Sequence, residues 1–268
     1  MKAKTKRIDP SRTGLLRRKF LSDLNHRLAE IITAIRKLIV EDDAFGIAPR
    51  TPLVVHAQQQ FAFPTDAAKL KAFQIWLKDL VDAKILEVSG KGTPGKPWTY
   101  QYVDSAYRKG MIRAFIDSRK VGRIPAWYTK RHDEFLRTAF AQPMVLDKLE
   151  LLSLRTFEQL RGLTGAISQK MAHVLSLGLV SGWGPEKIAR EMRKQIAGIS
   201  RTRARMITRT EIMHAHAEGQ LDTFETLGVS KLGIVAEWST AGDDLVCARC
   251  FEMEGKTFSV EEGRGMIP

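Results

Sequence analysis

The sequence predicts a mainly α-helical protein with a small amount of β structure. Apolar residues recur at helical spacing over most of the chain, prolines and glycines cluster between these stretches, and β-prone runs are few and short. The helical body is expected to contain a β-hairpin near residues 85–103 and to end in a small β-containing module. With 268 residues, of which 44% are apolar, the chain is long enough to bury a substantial core.

Long helices account for most of the predicted structure. The clearest covers residues 15–40, where Phe20, Leu24 and Leu28 begin an apolar face. The same spacing recurs between turn-forming residues and predicts helices at residues 66–86, 106–121, 129–141, 145–160, 164–180 and 185–195. A last long helix is expected to be capped by Ser200 or Thr202 and to end at Gly228, which suits a left-handed C-terminal turn.

Extended structure is predicted at two places. Residues 85–88 and 98–103 flank a loop rich in Gly and Pro, which is the pattern of a hairpin. Near the C-terminus, residues 232–239 and 256–260 are β-prone. We therefore expect a basic mobile arm, an N-terminal helical region with the hairpin, an all-α middle domain and a small α+β C-terminal module, over residues 1–13, 14–104, 105–230 and 231–268 respectively.

Positive charge is the most unusual property of the composition. The net charge is +13 and the pI is about 9.9, which is typical of proteins that meet a polyanion or an acidic partner. Two stretches carry this charge: residues 1–20 hold eight Lys and Arg against Asp9 alone, and residues 187–209 hold eight against Glu191 alone. The candidate contacts to a nucleic acid or an acidic protein are Lys2, Lys4, Lys6, Arg7, Arg12, Arg17, Arg18, Lys19, Arg201, Arg205 and Arg209.

Three of these arginines lie four residues apart. Arg201, Arg205 and Arg209 are expected to share one helical face, from which guanidinium groups can reach phosphates or an acidic groove. The alternative is a solvated face that nearby glutamates partly neutralise. No aromatic residues interleave with these charges and no base-reading motif accompanies them, so nucleic-acid binding is expected to be independent of base sequence.

A zinc-dependent nucleic-acid enzyme is the alternative function. His216-Ala-Glu218 precedes Cys247-Ala-Arg-Cys250, and this order of ligands and general acid is typical of zinc deaminases. Against it, Val246 stands where the pattern has Pro, His216 falls inside a helix, and the preceding sequence predicts no strands for a deaminase sheet. His214 and His216 are instead expected on a helix surface or bonded to neighbouring carboxylates, and no catalytic residue is assigned.

The two cysteines form at most half of a metal site. Their spacing lets both thiolates reach one tetrahedral ion, but such a site needs four ligands and no further Cys or His follows. Cys247 and Cys250 are therefore expected to be small, buried and reduced, and no cofactor is predicted. A chain with only two cysteines is typical of a reducing compartment. No apolar run in the sequence is long enough to span a bilayer, and the N-terminus lacks the features of a signal peptide.

The helix with Arg205 and Arg209 belongs to a longer pattern. It reads Thr202-Arg-Ala-Arg-Met-Ile-Thr-Arg-Thr-Glu211 with His214-Ala-His216-Ala, and is followed in order by Glu237-Trp-Ser-Thr-Ala-Gly-Asp243, Cys247-x-x-Cys250, Gly255 and Gly265-Met-Ile-Pro268. This order resembles the MuF-like head-morphogenesis family of tailed phages, whose helix reads Arg-Ala-x-x-Ile-Ala-Arg-Thr-Glu. Residues 98–110 and 155–164 also resemble family segments, so the likeness spans most of residues 75–268.

The resemblance implies a minor head, or minor capsid, protein that is present in the virion near the portal after assembly in the host cytoplasm. The implied partners are the phage portal protein and packaged double-stranded DNA, with the capsid or a scaffold protein as further contacts and no membrane. It implies roles in head morphogenesis, packaging or ejection, and no catalytic residues. In the family the final Pro runs into His-Pro-x-Cys-Arg-Cys, so the module is expected to be truncated or processed at Pro268. Zinc at Cys247 and Cys250 is then expected only if residues follow Pro268.

Overall fold

A computed structural model describes residues 9–47, 65–89, 94–121, 132–228, 235–240 and 246–267 of the chain. The protein is mainly α-helical, as predicted. The helices are α1 (Gly14–Arg36), α2 (Asp66–Ile85), α3 (Tyr100–Lys120), α4 (His132–Phe140), α5 (Pro143–Val180), α6 (Pro185–Ile199), α7 (Arg205–Thr226), α8 (Ala248–Glu252) and α9 (Val260–Arg264). Two π-helical segments, Lys37–Glu41 and Ser200–Ala204, follow α1 and α6 directly.

Two short antiparallel ladders supply the β structure. β1 (Val88–Ser89) pairs with β2 (Lys96–Pro97), and β3 (Ala236–Glu237) pairs with β4 (Thr257–Phe258). The hairpin is thus confirmed, but the predicted strand over residues 98–103 is wrong because α3 begins at Tyr100. The Trp98 indole N–H donates to the Ile85 carbonyl oxygen at 2.9 Å, so this aromatic residue anchors the turn after β2 instead of extending the strand.

The long helices differ from the sequence prediction mainly at their ends. α5 runs without a break over 38 residues where two helices were predicted. The predicted caps at Ser200 and Thr202 are wrong, because Ser200 has helical dihedral angles and the Thr202 hydroxyl donates backwards to the Gly198 carbonyl oxygen at 3.1 Å. Gly228 is confirmed as the terminator of α7: its φ is +66°, which favours glycine, and its N–H donates to the Glu225 carbonyl oxygen.

The chain divides into two compact units, each built from segments that are distant in sequence. Unit 1 comprises residues 1–20, 99–155 and 208–268, and unit 2 comprises residues 21–98 and 156–207. The chain passes from one unit to the other within α1, α5 and α7. The contiguous domains that the sequence suggested stay a prediction.

In unit 1, α3 and α7 cross at two glycines. A Cβ atom on Gly110 would overlap the carbonyl oxygen of His216, and a Cβ atom on Gly219 would overlap that of Tyr107. Only glycine therefore lets the two helices approach so closely. The ring of Phe20 stacks on Tyr102 beside this crossing, with 4.8 Å between ring centroids, and both side chains are fully buried.

In unit 2, the buried faces of several helices form the core. α2 begins at the N-cap Thr65, whose hydroxyl accepts the N–H of Ala68, and buries one apolar residue per turn. The buried side chains on the main helices of this unit include Leu24, Leu28, Ile31, Ile35, Phe73, Leu77, Val81, Leu163, Ile167, Met171, Ile188 and Met192. A Cβ atom on Gly178 of α5 would overlap Ile188 of α6, so these two helices also pack closely through a glycine.

Candidate functional site

α6 presents its apolar and basic residues on opposite faces. Pro185 occupies the first helical turn, where its missing N–H removes no helical hydrogen bond. Ile188, Met192 and Ile196 are almost completely buried and lie about one turn apart. Lys187, Arg190 and Lys194 also follow helical spacing, and all three are exposed. The helix therefore fixes a row of cations to the surface of unit 2.

The second π-helical segment continues this basic surface. Ala204 is its buried residue, whereas Arg201 and Arg203 are exposed. The exposed cations of unit 2 between α6 and the first residue of α7 are hereafter the α6 basic surface: Lys187, Arg190, Arg193, Lys194, Arg201, Arg203 and Arg205. Only Glu186 and Glu191 lie in the same stretch of sequence.

Few of these cations are neutralised within the part of the chain that the structure describes. There, no carboxylate pairs with Arg190, Arg193 or Arg203. Lys194 lies 3.9 Å from Glu191, at the limit of an ion pair, and the Lys187 ammonium lies 4.2 Å from the ring centroid of Trp183. Arg190, Arg193 and Arg203 were not among the individual sites predicted from sequence, although their opposition to the apolar face of α6 could have revealed them.

The three arginines predicted as one row are all exposed. Arg201 and Arg205 belong to unit 2, and Arg209 belongs to unit 1. Arg201 also donates from Nε to the Ala197 carbonyl oxygen at 3.4 Å. The row was predicted from the spacing of an α-helix, but Arg201 lies in the π-helical segment, which has more residues per turn. Their joint role in binding stays a prediction.

The N-terminal basic stretch is only partly described. Lys2, Lys4, Lys6 and Arg7 lie outside the described residues, whereas Arg18 and Lys19 are exposed on α1, and Arg12 is exposed just before it. Arg17 differs from these, because its guanidinium pairs with Asp9 at 2.6 Å.

Residues 9–13, the end of the predicted mobile arm, form a turn before α1. The Ser11 hydroxyl bonds to Asp9 and Thr13, and Ser11 and Thr13 are buried. Burial opposes ionisation of Asp9, but the hydrogen bonds from Ser11 and the charge of Arg17 hold its pKa below the usual value. Mobility of the arm therefore stays a prediction at most for residues 1–8, which lie outside the described residues.

The histidines of the deaminase-like pattern lie in the interior of unit 1. His214 and His216 are both buried, so their predicted placement on a helix surface is wrong, whereas the alternative of a neighbouring carboxylate holds for His214, whose Nε2 lies 3.8 Å from Glu218. Burial lowers the pKa of His216 to about 4, and its Nε2 has no hydrogen-bond partner among the described residues. The ring nitrogens of His214 lie 3.1 and 3.2 Å from the Arg155 guanidinium.

Glu218, the residue in the position of a general acid, is buried within a network of ion pairs. Its carboxylate lies 2.8 Å from Lys148 and 2.7 Å from Arg264. Arg264 also contacts Asp222 and Glu225, each at 2.9 Å, and the Tyr107 hydroxyl donates to Asp222. Burial and this hydrogen bond raise the pKa of Tyr107. The network attaches α9 to α7, so a substitution of Glu218 perturbs packing as well as any proton transfer.

Cys247 and Cys250 are not buried, which corrects the sequence prediction. Cys247 is exposed at the N-cap of α8, and Cys250 is half-buried one turn later. The backbone N–H of Cys250 donates to Cys247 Sγ at 3.3 Å. Hydrogen bonds from the Cys250 thiol and backbone lower the pKa of Cys247, whereas burial, followed by its hydrogen bond to Cys247, raises the pKa of Cys250.

Within the described ranges, no three His, Cys, Asp or Glu side chains come together in a way that could hold a metal ion. His216 therefore does not combine with the two cysteines into the ligand set of a zinc deaminase. Among the described residues, no helix is both long enough and apolar enough to cross a membrane.

Comparison with known proteins gives a family match for one part of the chain, within its C-terminal half. Residues 169–265 match the family model described as Phage Mu protein F like protein. Among curated proteins and among solved structures, no match was found. The matched range begins within α5 and includes α6, the second π-helical segment, α7 and the cysteine pair. Over these residues the resemblance seen in the sequence is confirmed, and this region of the chain is similar to the phage Mu protein F-like family.

Proposed function

We propose that this chain is a minor head protein of a tailed phage that associates with the portal and contacts packaged double-stranded DNA without reading its sequence. The family of residues 169–265 supports a phage head protein. Contact with the portal and with DNA, and a structural role without catalysis, are our inferences from the charge and from the surroundings of Glu218 and His216.

The α6 basic surface is the observation on which this function rests. Its cations are held on a helix whose opposite face is buried, so their positions are set by the core of unit 2. Arg190, Arg193 and Arg203 have no carboxylate partner in the described part of the chain, so binding a polyanion need not break an ion pair at these residues. Guanidinium groups can donate two parallel hydrogen bonds to a phosphate, which makes them suited to the DNA backbone.

Binding through this surface would depend strongly on salt. Each phosphate that a cation neutralises releases a counterion, and the slope of log K against log salt falls by about 0.9 per contact on double-stranded DNA. Three contacts at Arg190, Arg193 and Arg203 would thus contribute about 2.7 to the slope. Contact to an acidic groove of the portal would also weaken with salt, but it would depend on the shape of that partner.

The decisive variant reverses three cations of the α6 basic surface: Arg190→Glu, Arg193→Glu and Arg203→Glu. Its matched control reverses three exposed lysines of the same unit, Lys71, Lys78 and Lys170, and so has the same net charge. Binding of mixed-sequence duplex DNA is measured by fluorescence anisotropy over a series of salt concentrations. We expect the arginine variant to lose affinity and salt dependence, and the control to keep most of both.

Incorporation into phage heads is measured for the same two variants, with far-ultraviolet circular dichroism to confirm folding. Loss of both DNA binding and incorporation in the arginine variant alone would assign both contacts to this surface. A second variant, with Arg201, Arg205 and Arg209 changed to Glu, tests the row predicted from sequence. If both triple variants bind DNA and enter heads as the lysine control does, the proposed function is wrong.

A further inference from the structure

The two cysteines lie three residues apart at the start of α8, so their side chains are neighbours on one face of this turn. Cys250 lies one helical turn after Cys247, and residues three apart on a helix have Cβ atoms about 5 Å apart. The Cys250 backbone N–H donates to Cys247 Sγ at 3.3 Å, so the first sulfur lies against the residue that carries the second. A disulfide needs a Cβ–Cβ distance of about 3.5 to 4.5 Å, so closing the bond between these two residues requires a local movement of about 1 Å.

The surroundings of the two sulfurs are unequal. Cys247 is exposed at the N-cap of α8. Cys250, three residues later, is half-buried. A small molecule from solution can therefore reach Cys247 first, and Cys250 is placed to attack whatever becomes bonded to it.

We propose that Cys247 and Cys250 form a thiol–disulfide exchange site that reacts with small disulfides such as oxidised glutathione. The Cys247 thiolate attacks one sulfur of the small disulfide, whose S–S bond breaks and releases one thiol. Cys250 then loses its proton to solvent and attacks Cys247 Sγ, which releases the second thiol and closes the intramolecular disulfide. Two electrons pass from the dithiol to the small disulfide, which is reduced to two thiols.

The bond would close a loop within the segment between β3 and β4. Trp238 of this segment donates its N–H to the Lys256 carbonyl oxygen at 2.8 Å, and Thr240 donates its N–H to Glu254 at 2.6 Å. A disulfide there would restrict the unfolded forms of the segment and leave these bonds in place. The timing rests on the proposed function: the dithiol would be reduced in the host cytoplasm and would close once the particle meets an oxidising medium.

The test uses the full chain, purified in reductant and treated with a chelator under anaerobic conditions. It is equilibrated in graded mixtures of reduced and oxidised glutathione, alkylated, and analysed by intact mass and by gel shift. We expect both thiols to disappear together over one range of redox potential, with loss of two hydrogens, no bound glutathione and no dimer. Cys250→Ser should retain one glutathione at Cys247, and Cys247→Ser should react far more slowly.

Three results would overturn the proposal. The first is that both thiols stay free in the most oxidising mixture. The second is that the two single variants take up glutathione equally, which would mean that the sulfurs act independently. The third is that the purified chain holds stoichiometric zinc that must be removed before either thiol reacts, because the pair would then be metal ligands. None of these results bears on the arginine variants, so this proposal and the proposed function can fail separately.

Discussion

His216 should make the stability of unit 1 depend on pH between about 4 and 6.5. Burial lowers the pKa of this imidazole from its ordinary value of 6.5 to about 4 in the folded protein. The charged groups that face it are Asp9 from the N-terminal turn and Lys109 and Arg113 from α3. Asp9 and a hydrogen bond with Gln220 oppose the lowering of the pKa, and the two cations add to it.

The sign follows from which state binds the proton. Below pH 6.5 the unfolded chain protonates this histidine while the folded chain does not, so acid favours unfolding. The contribution of His216 is therefore fully present above pH 6.5 and decreases as the pH falls toward 4. With about 1.4 kcal/mol per pH unit, the free energy of unfolding should decrease by about 2 kcal/mol between pH 7 and pH 5.

Urea unfolding at pH 7 and pH 5 measures this effect. His216→Gln removes the titrating group, and its loss of stability over this interval should be smaller than that of the unchanged protein by about 2 kcal/mol. His173→Gln is the matched control, because His173 is an exposed helical histidine in unit 2. If His216→Gln and His173→Gln show the same pH dependence as the unchanged protein, the histidine is not held neutral by burial and the reasoning is refuted.

Two further predictions concern packing within unit 1. Gly110→Ala or Gly219→Ala should lower the free energy of unfolding by about 3 kcal/mol, because the new methyl group would push α3 and α7 apart. Gly165→Ala is the control and should be neutral or stabilising, because its new methyl group would meet no atom within 4 Å. Thermal unfolding compares the three variants, and equal melting temperatures would contradict the close crossing. Arg264→Met should destabilise the attachment of α9 by about 2 kcal/mol, since buried carboxylates would lose their counter-charge. Hydrogen exchange in α9 should then accelerate, with the exposed Arg249→Met as control; unchanged exchange in Arg264→Met would show that the network does not hold this helix.

Helices were predictable here because their signal is local and repeated. Phe20, Leu24 and Leu28 are all buried, as their spacing indicated, and the break after the first helix was visible from Gly and Pro. The errors occurred where a local preference competes with tertiary contacts. Aromatic residues in residues 98–103 favour strands, but Trp98 bonds to Ile85 and Tyr102 is buried as a helical residue.

The missed caps have a related cause. Ser200 and Thr202 are good N-cap residues, yet nothing in their type shows whether the preceding helix has ended. In the structure Ile199 and Ser200 keep helical angles and the chain continues through a π-helical turn. The Ser200 hydroxyl bonds to Asn25, which is 175 residues away in sequence, and the Thr202 hydroxyl bonds within its own helix. A capping residue with other partners cannot be recognised from its neighbours in sequence.

The same distinction separates the two kinds of candidate site. The excess of cations between residues 187 and 209 is a property of one short segment, and exposure on α6 follows from the apolar face opposite, so this surface could be located from sequence. The ion pairs of Glu218 could not be predicted from sequence, because its partners Lys148 and Arg264 lie 70 residues before and 46 residues after it. A motif that looks catalytic can thus also form ion pairs with distant cations, which the neighbouring sequence does not show. The exposure of Cys247 could not be predicted from sequence either, because the burial of a cysteine depends on which residues pack against it. A local excess of positive charge can therefore be read from the sequence alone, whereas the exposure of the cysteine pair depends on the folded structure around it.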